Sequence, residues 1–323
     1  MTTADLIEKL VQVVLGIVVF VAIIGIIMFL VDKAPKRGKD VAQLLAFLAP
    51  AMILLAIGLI YPAIRTTLLA FTNSAGAWIG LDNFVWMFTQ PDALITLRNT
   101  IIWVVLVPVL STVIGLAYAV FIDKSRGEKY FKALVFMPMA ISFVGASIIW
   151  RFVYEYRQPG DPQIGALNAL VTAFGGEPQR WLQEPPINTV LLIVVMIWIQ
   201  TGFAMVVLSA SIKGIPTEQL EAAQLDGTNA WQRFRNVTLP GIRGSLVVVV
   251  TTVSIATLKV FDIVRTMTAG NFETSVVANE MYTQAFRAGE QGRGSALAVV
   301  LFLMVLPIVV YNVRIMRKQR EIR

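Results

Sequence analysis

The chain contains no histidine and no cysteine. Without histidine it lacks the commonest general base and the commonest transition-metal ligand. Without cysteine it has no disulfides, no thiolate nucleophile and no thiolate-held zinc or iron–sulfur site. A haem protein, a zinc protease or a membrane hydrolase is hard to build from what remains. No G-x-x-x-x-G-K-[ST] sequence occurs, so the chain carries no phosphate cradle of its own. The chemistry left is recognition by carboxylates, amides, hydroxyls and aromatic rings. Two places stand out. Residues 220–240, LEAAQLDGTNAWQRFRNVTLP, place Glu221 and Asp226 beside small residues between two oily segments. Gln200, Lys259 and Asp262 fall inside apolar stretches, where a polar group without a partner is costly and a charge is a candidate for function.

The elements that must position these residues are membrane helices. The chain is 57% hydrophobic and only 15% charged, a balance that soluble domains rarely reach. About 20 mostly apolar residues cross a hydrocarbon core. Seven stretches qualify, at roughly 10–31, 42–64, 99–122, 133–153, 187–212, 244–264 and 295–314. Pro50, Pro108, Pro138 and Pro307 lie inside them, and membrane helices tolerate such kinks. The expected fold class is an all-α integral membrane protein.

The net charge of +7 is compatible with nucleic acid or anionic lipid, but its distribution points to membrane orientation. Connection 32–41 carries Lys33, Lys36, Arg37 and Lys39; 123–132 carries Lys124, Arg126, Lys129 and Lys132; 213–243 carries Lys213, Arg233, Arg235 and Arg243; five more basic residues follow position 313. The longer loops 65–98, 154–186 and 265–294 carry two, two and three. The excess of lysine and arginine marks the cytoplasmic side. The first set therefore faces inward, the second outward, and the N-terminus outward. The leader MTTADLIEK has two acids and one lysine, and no A-x-A-like site follows, so 10–31 reads as a retained span. Residues 1–41 are expected to be an added span with a cytoplasmic linker, and 42–323 a six-helix unit.

Within the inward loop, Thr217 is a candidate N-cap with Glu218 in the first turn. Leu220 to Leu225 are strong helix formers, and Gly227 is a natural stop. A second short helix is expected from Thr228 or Asn229 to about Asn236, with Leu239-Pro240 leading back into the membrane. Ala222 and Ala223 offer a small-residue surface that a partner can approach closely, and Glu221 and Asp226 offer charges to a basic partner.

Glu221-Ala222-Ala223, Asp226-Gly227, Phe234, Val237 and Leu239-Pro240 resemble the EAA motif of permease subunits in prokaryotic binding-protein-dependent ABC importers. The resemblance runs from about residue 42 to the end. Family members often have a proline after the L-P pair, where this chain has Gly241 and Gly244. Phe261-Asp262-Ile263, Met267-Thr268-Ala269-Gly270-Asn271-Phe272, Thr274, Tyr282 and Ala285-Phe286 are similar to a stretch of sugar permeases. The Gly270-Asn271-Phe272 form resembles the α-glucoside permeases, relatives of the maltose permease whose large outer loop is missing here. The resemblance implies a six-helix type I importer core after one extra N-terminal span. It implies that the segment at 213–243 is a coupling helix docked on a separate ATPase, with Glu221, Ala222, Ala223, Asp226, Gly227, Leu239 and Pro240 as the docking residues. Carried over by position, it implies solute contacts at Gln200 and Phe203, in W-I-Q-T-G-F, and at Thr257 and Val260. Valine at 260 stands where the maltose permease has an amide.

The expected machine is therefore a non-enzymatic permease in a prokaryotic cytoplasmic membrane. Its implied partners are a second permease subunit, two ATPase subunits and an extracytoplasmic sugar-binding protein, with no nucleic acid. The chain itself is expected to hold no cofactor, ATP and Mg being used by the ATPase partner. Its solute would be an α-glucoside-type sugar such as maltose, trehalose or sucrose, or a glucosylated osmolyte. An ion-coupled secondary transporter would need titratable midplane residues and commonly two similar halves. Asp262 is the one acid well inside a late span, and no clear repeat is present. A membrane enzyme lacks paired intramembrane carboxylates as well as histidine and cysteine. Lys259 and Asp262, three apart, are expected to share a helical face and pair. Trp198 and Trp231 are expected to pack or to anchor at an interface.

Overall fold

A computed structural model describes residues 3–32, 39–122 and 125–321. Lys33, Lys36, Arg37, Lys124 and Arg323 of the charge pattern lie outside the described residues. The helices form two compact units, 1–65 and 66–323. The division falls within the helix Tyr61–Leu69. In the first unit, α1 (Thr3–Asp32) is followed by α2 (Lys39–Leu55), which contains Pro50 and runs through a π turn at Ala56–Ile60 into α3 (Tyr61–Leu69). Side chains from Val11 to Val21 are exposed, and none of the apolar segment Phe47–Leu69 is buried. Helices this oily belong in hydrocarbon, where every backbone group must be bonded within the helix.

The second unit carries the polar sites. α4 (Asp82–Thr89) leads into α5 (Pro91–Ile122). α6 (Glu128–Phe136), a 3₁₀ turn at Met137–Ala140 and α7 (Phe143–Val153) follow, then α8 (Ala166–Ala173) and α9 (Ile187–Lys213). α10 (Thr217–Leu225), α11 (Ala230–Arg233), a π turn at Phe234–Thr238 and α12 (Leu239–Gly241) make the next connection. α13 (Arg243–Leu258), α14 (Asp262–Met267), α15 (Val277–Tyr282) and α16 (Gln291–Glu321) complete the chain.

Among the described residues, four continuous segments are long and apolar enough to span: Phe47–Leu69, Pro91–Ile122, Ile187–Lys213 and Gln291–Ile315. Two expected spans are bent. The stretch expected as 133–153 turns by 104° between α6 and α7, where Ser142 starts the new helix by accepting a hydrogen bond from the Gly145 amide at 3.1 Å. The chain turns by 67° before α13, and the span expected to reach 264 stops at Leu258. Lys259 caps α13 and Asp262 opens α14. The two charges therefore do not share a helical face, and no ion pair joins them among the described residues. Each instead sits at the helix end its sign favours, lysine at a C-terminus and aspartate at an N-terminus.

The core forms around α5 and α9, with Trp103, Leu192, Met196 and Leu208 fully buried. Gly115 makes their close approach possible: a β-carbon there would lie 2.6 Å from the Ala204 Cβ. α13 closes the core with Val249 and Val253 and is tied to α16 by a 2.6 Å hydrogen bond from the Asn312 amide to the Thr251 hydroxyl. Small residues at the closest contact and polar bonds across it are how helices associate when lipid is as apolar as the side chains.

Candidate functional site

Two groups of polar residues stand at different depths of the second unit. At one end, α10 and α11 form a short hairpin. Pro216 occupies the N-cap without a side-chain bond, so Thr217 is the first helical residue and not the cap. The stop is as expected. Gly227 has φ +73°, its amide donates to the Gln224 carbonyl at 3.0 Å, and the Thr228 amide donates to the Ala223 carbonyl at 3.2 Å. These are the paired bonds of a Schellman cap, which needs a left-handed residue. Asn229 then begins α11 through a capping box: its side chain accepts from the Gln232 amide at 2.9 Å, and the Gln232 side chain accepts in return at 2.8 Å. The turn between the two limbs is therefore capped on both sides, at the end of α10 and at the start of α11.

The small-residue surface is only half present. Glu221, Ala222 and Asp226 are exposed, but Ala223 is buried and its carbonyl takes both the amide and the hydroxyl of Thr228. Ala223 packs the hairpin together rather than facing outward. The exposed face includes a residue that sequence reasoning missed: Leu225, 90% exposed beside two carboxylates. Leu239 is half-buried and Pro240 exposed, just before the bend into α13. The hairpin leaves α9 at a charge cluster, where Glu128 receives Lys132 at 2.7 Å and Lys213 as well. Lys132 also bonds the Ser209 hydroxyl. The loop before α6 and the hairpin thus share one end of the bundle.

The opposite end is built from the loops around 70–83 and 268–276. The Asn99 amide donates to the carbonyls of Glu273 and Ser275 at 2.6 and 3.0 Å, and the Asn188 amide donates to that of Phe272 at 2.7 Å. These bonds hold a segment in which Ala269, Gly270, Phe272 and Glu273 all have positive φ. Non-glycine residues adopt that region only when their surroundings fix them. The asparagines that fix it were not visible in the sequence. A cavity of about 550 Å³ opens beside this segment, lined by Arg151, Arg180, Arg265 and Trp181 among others. Arg180 lies over the Tyr156 ring at 5.2 Å and Arg265 over Tyr282 at 4.8 Å.

The residues carried over as solute contacts lie deeper. Gln200 is almost fully buried on α9, and its amide has no hydrogen bond among the described residues. Phe203 is half-buried and packs against the main core. Thr257 is buried near the end of α13, with its hydroxyl donating to the Val253 carbonyl at 2.7 Å. Val260 is buried just beyond that helix, in the same core that Phe203 borders. All four come from two elements that pack together, α9 and the end of α13. Gln200 is the one whose polar capacity is unspent. None of the four lines the 550 Å³ cavity.

Residues 111–317 match the family described as binding-protein-dependent transport system inner membrane component. Over 278 residues the chain is 47% identical to the osmoprotective compounds uptake permease GgtC of Synechocystis, covering 86% of this chain and 100% of that one. Over 270 residues it is 47% identical to the α-glucoside transport system permease AglF of Rhizobium meliloti, covering 83% and 80%. Among solved structures, a bacterial ABC transporter involved in alginate import has a chain that superposes with a TM-score of 0.74 at 24% identity, covering 88% of this chain and 98% of that one. The likeness supports the helical fold of an importer permease. The chain belongs to the binding-protein-dependent transport system inner membrane components and is a transport permease of an ABC importer, not an enzyme.

Proposed function

We propose that this permease moves an α-glucoside-type sugar or a glucosylated osmolyte inward across a prokaryotic cytoplasmic membrane. The reading rests on 47% identity to permeases whose names state α-glucoside and osmoprotectant transport. The hairpin 217–241 is the coupling element. Its exposed Glu221, Ala222 and Asp226 dock on an ATPase subunit, Gly227 fixes their geometry, and Leu239-Pro240 passes motion to α13. The observation that carries this is the exposure of Leu225 between two carboxylates on a rigidly capped helix. An apolar side chain held out in this way fits a partner's pocket. ATP and Mg are used by that partner.

The hairpin end is cytoplasmic. The basic residues Arg126, Lys129, Lys213, Arg233 and Arg235 gather there, as lysine and arginine do on the inner side. The opposite end, with its arginine-lined cavity, meets the extracytoplasmic binding protein, and a second permease completes the passage. Gln200, with Phe203, Thr257 and Val260 beside it, forms this chain's share of the solute pocket. ATPase closure drives the exchange because the hairpin makes different contacts in the two states. The test is extraction of the tagged native protein in mild detergent, with mass spectrometry of what accompanies it. An ATPase and a second permease are expected. A bare monomer or homodimer in several detergents would refute the assembly.

A further inference from the structure

Among the described residues, three buried polar atoms of α5 find no hydrogen-bond partner: the Trp103 indole nitrogen and the hydroxyls of Ser111 and Thr112. Ser111 is fully buried and Thr112 nearly so. A buried hydroxyl without a partner costs on the order of 1–3 kcal/mol, so two in succession at mid-helix call for an explanation. Trp103, Val107, Ser111 and Gly115 are spaced by four and lie along one face of the helix. Gly115 places that face against α9, since its missing side chain admits Ala204 and the Met205 backbone.

Two contacts fix the register of α5 against α9. Asn99 and Asn188, near the two helix starts, bond neighbouring carbonyls of the same loop. Further along, Gly115 meets Ala204. The helices therefore run parallel, and the separation between the asparagines equals that between Gly115 and Ala204. By that register Ser111 is level with Gln200 and Thr112 with Thr201. Gln200 is the buried amide that also lacks a partner among the described residues. Ser111, Thr112 and Gln200 thus bring unspent hydrogen-bonding groups to one depth of the two helices, while the Thr201 hydroxyl beside them donates to the Ile197 carbonyl at 2.7 Å. A cavity of about 290 Å³ lies beside Thr201, lined also by Ile114, Tyr118, Trp150 and Trp198; Ser111, Thr112 and Gln200 stand behind that wall and do not line it. The Trp150 and Trp198 rings meet edge to face at 5.7 Å. The volume falls just below the ~300–1,000 Å³ range of small-molecule pockets, a size suited to one sugar ring rather than a chain. Aromatic walls with a few hydroxyl and amide groups are what such a ring requires. A lipid tail would leave the hydroxyls and the amide unpaired.

The geometry points to Ser111 and Thr112 as solute-contacting residues of a mid-membrane sugar subsite that α5 shares with Gln200 and Thr201 of α9. The solute reaches them in the conformation that parts the α5–α9 seam. This assignment rests on the sugar-import reading. The test uses the whole complex with its binding protein, reconstituted in vesicles and assayed for ATP-driven uptake of labelled maltose, trehalose, sucrose and a glucosylated osmolyte. Wild-type uptake of none of these would overturn the sugar reading and this assignment with it. With a transported sugar in hand, S111A/T112V is expected to raise the KM about three- to tenfold, the loss of one or two neutral hydrogen bonds. Its melting temperature should not fall, because apolar replacements leave no partner unpaired. The hydroxyl-keeping S111T/T112S should stay within about twofold of the wild-type KM by the same reasoning. An unchanged KM in S111A/T112V would overturn the assignment while leaving sugar import standing. An equal rise in S111T/T112S would also overturn it, by showing that shape and not the hydroxyls mattered.

Discussion

Gly227 holds φ at +73° and donates the bond that closes α10. Proline fixes φ near −65° and has no amide hydrogen, so Gly227→Pro removes both the angle and the bond. Alanine there meets no atom within 4 Å and carries only the left-handed backbone penalty, about 1–2 kcal/mol. The expected result is that Gly227→Pro abolishes uptake with the protein still inserted in the membrane, while Gly227→Ala retains a reduced rate. Uptake by the proline variant equal to wild type would remove the hairpin cap from the coupling mechanism. At this scale the sequence was readable where a residue type has few other uses. Asp226-Gly227 marks a stop almost anywhere, and the stop is there. The burial of Ala223 was not readable, because a helix of nine residues with alanines at successive positions does not declare which one faces inward. Asn99 and Asn188 were likewise opaque. Their role depends on carbonyls of Glu273, Ser275 and Phe272, far away in the chain.

At the scale of elements, long apolar runs announced the membrane helices, since length and oiliness are set locally by the thickness of the hydrocarbon core. The bends were hidden for the same reason. An apolar run through Met137–Ala140 reads the same whether the helix continues or turns by 104°, and neighbouring helices decide between them. Register between helices was also beyond sequence, so the alignment of Ser111 with Gln200 had to come from contacts. The closeness of α5 and α9 gives a direct check. Gly115→Val puts branched carbon where Ala204 Cβ would be 2.6 Å away. Overpacking of this kind costs typically 1–3 kcal/mol. The purified variant should melt several degrees lower and yield less assembled complex. A melting temperature equal to wild type would mean that the two helices are not in contact at this level.

For the whole molecule, the two ends of the second unit differ in character. One presents the charge cluster of Glu128, Lys132 and Lys213 and the capped hairpin; the other presents a strained loop and a cavity with three arginines. Of the loops that the charge pattern groups, 123–132 meets 213–243 through Glu128 and Lys213, and 65–98 meets 265–294 through Arg98 and Glu273 at 3.8 Å. The central claim is that the hairpin end is the ATPase dock. The chain has no cysteine, so Leu225→Cys would carry its only thiol, on a side chain that is 90% exposed. The decisive measurement is cross-linking of that thiol with a short thiol-to-amine reagent in inverted membrane vesicles holding the whole complex, followed by identification of the adduct. The account predicts one dominant adduct, to the ATP-hydrolysing subunit. An adduct to the extracytoplasmic binding protein, or none while that subunit co-purifies, would contradict it.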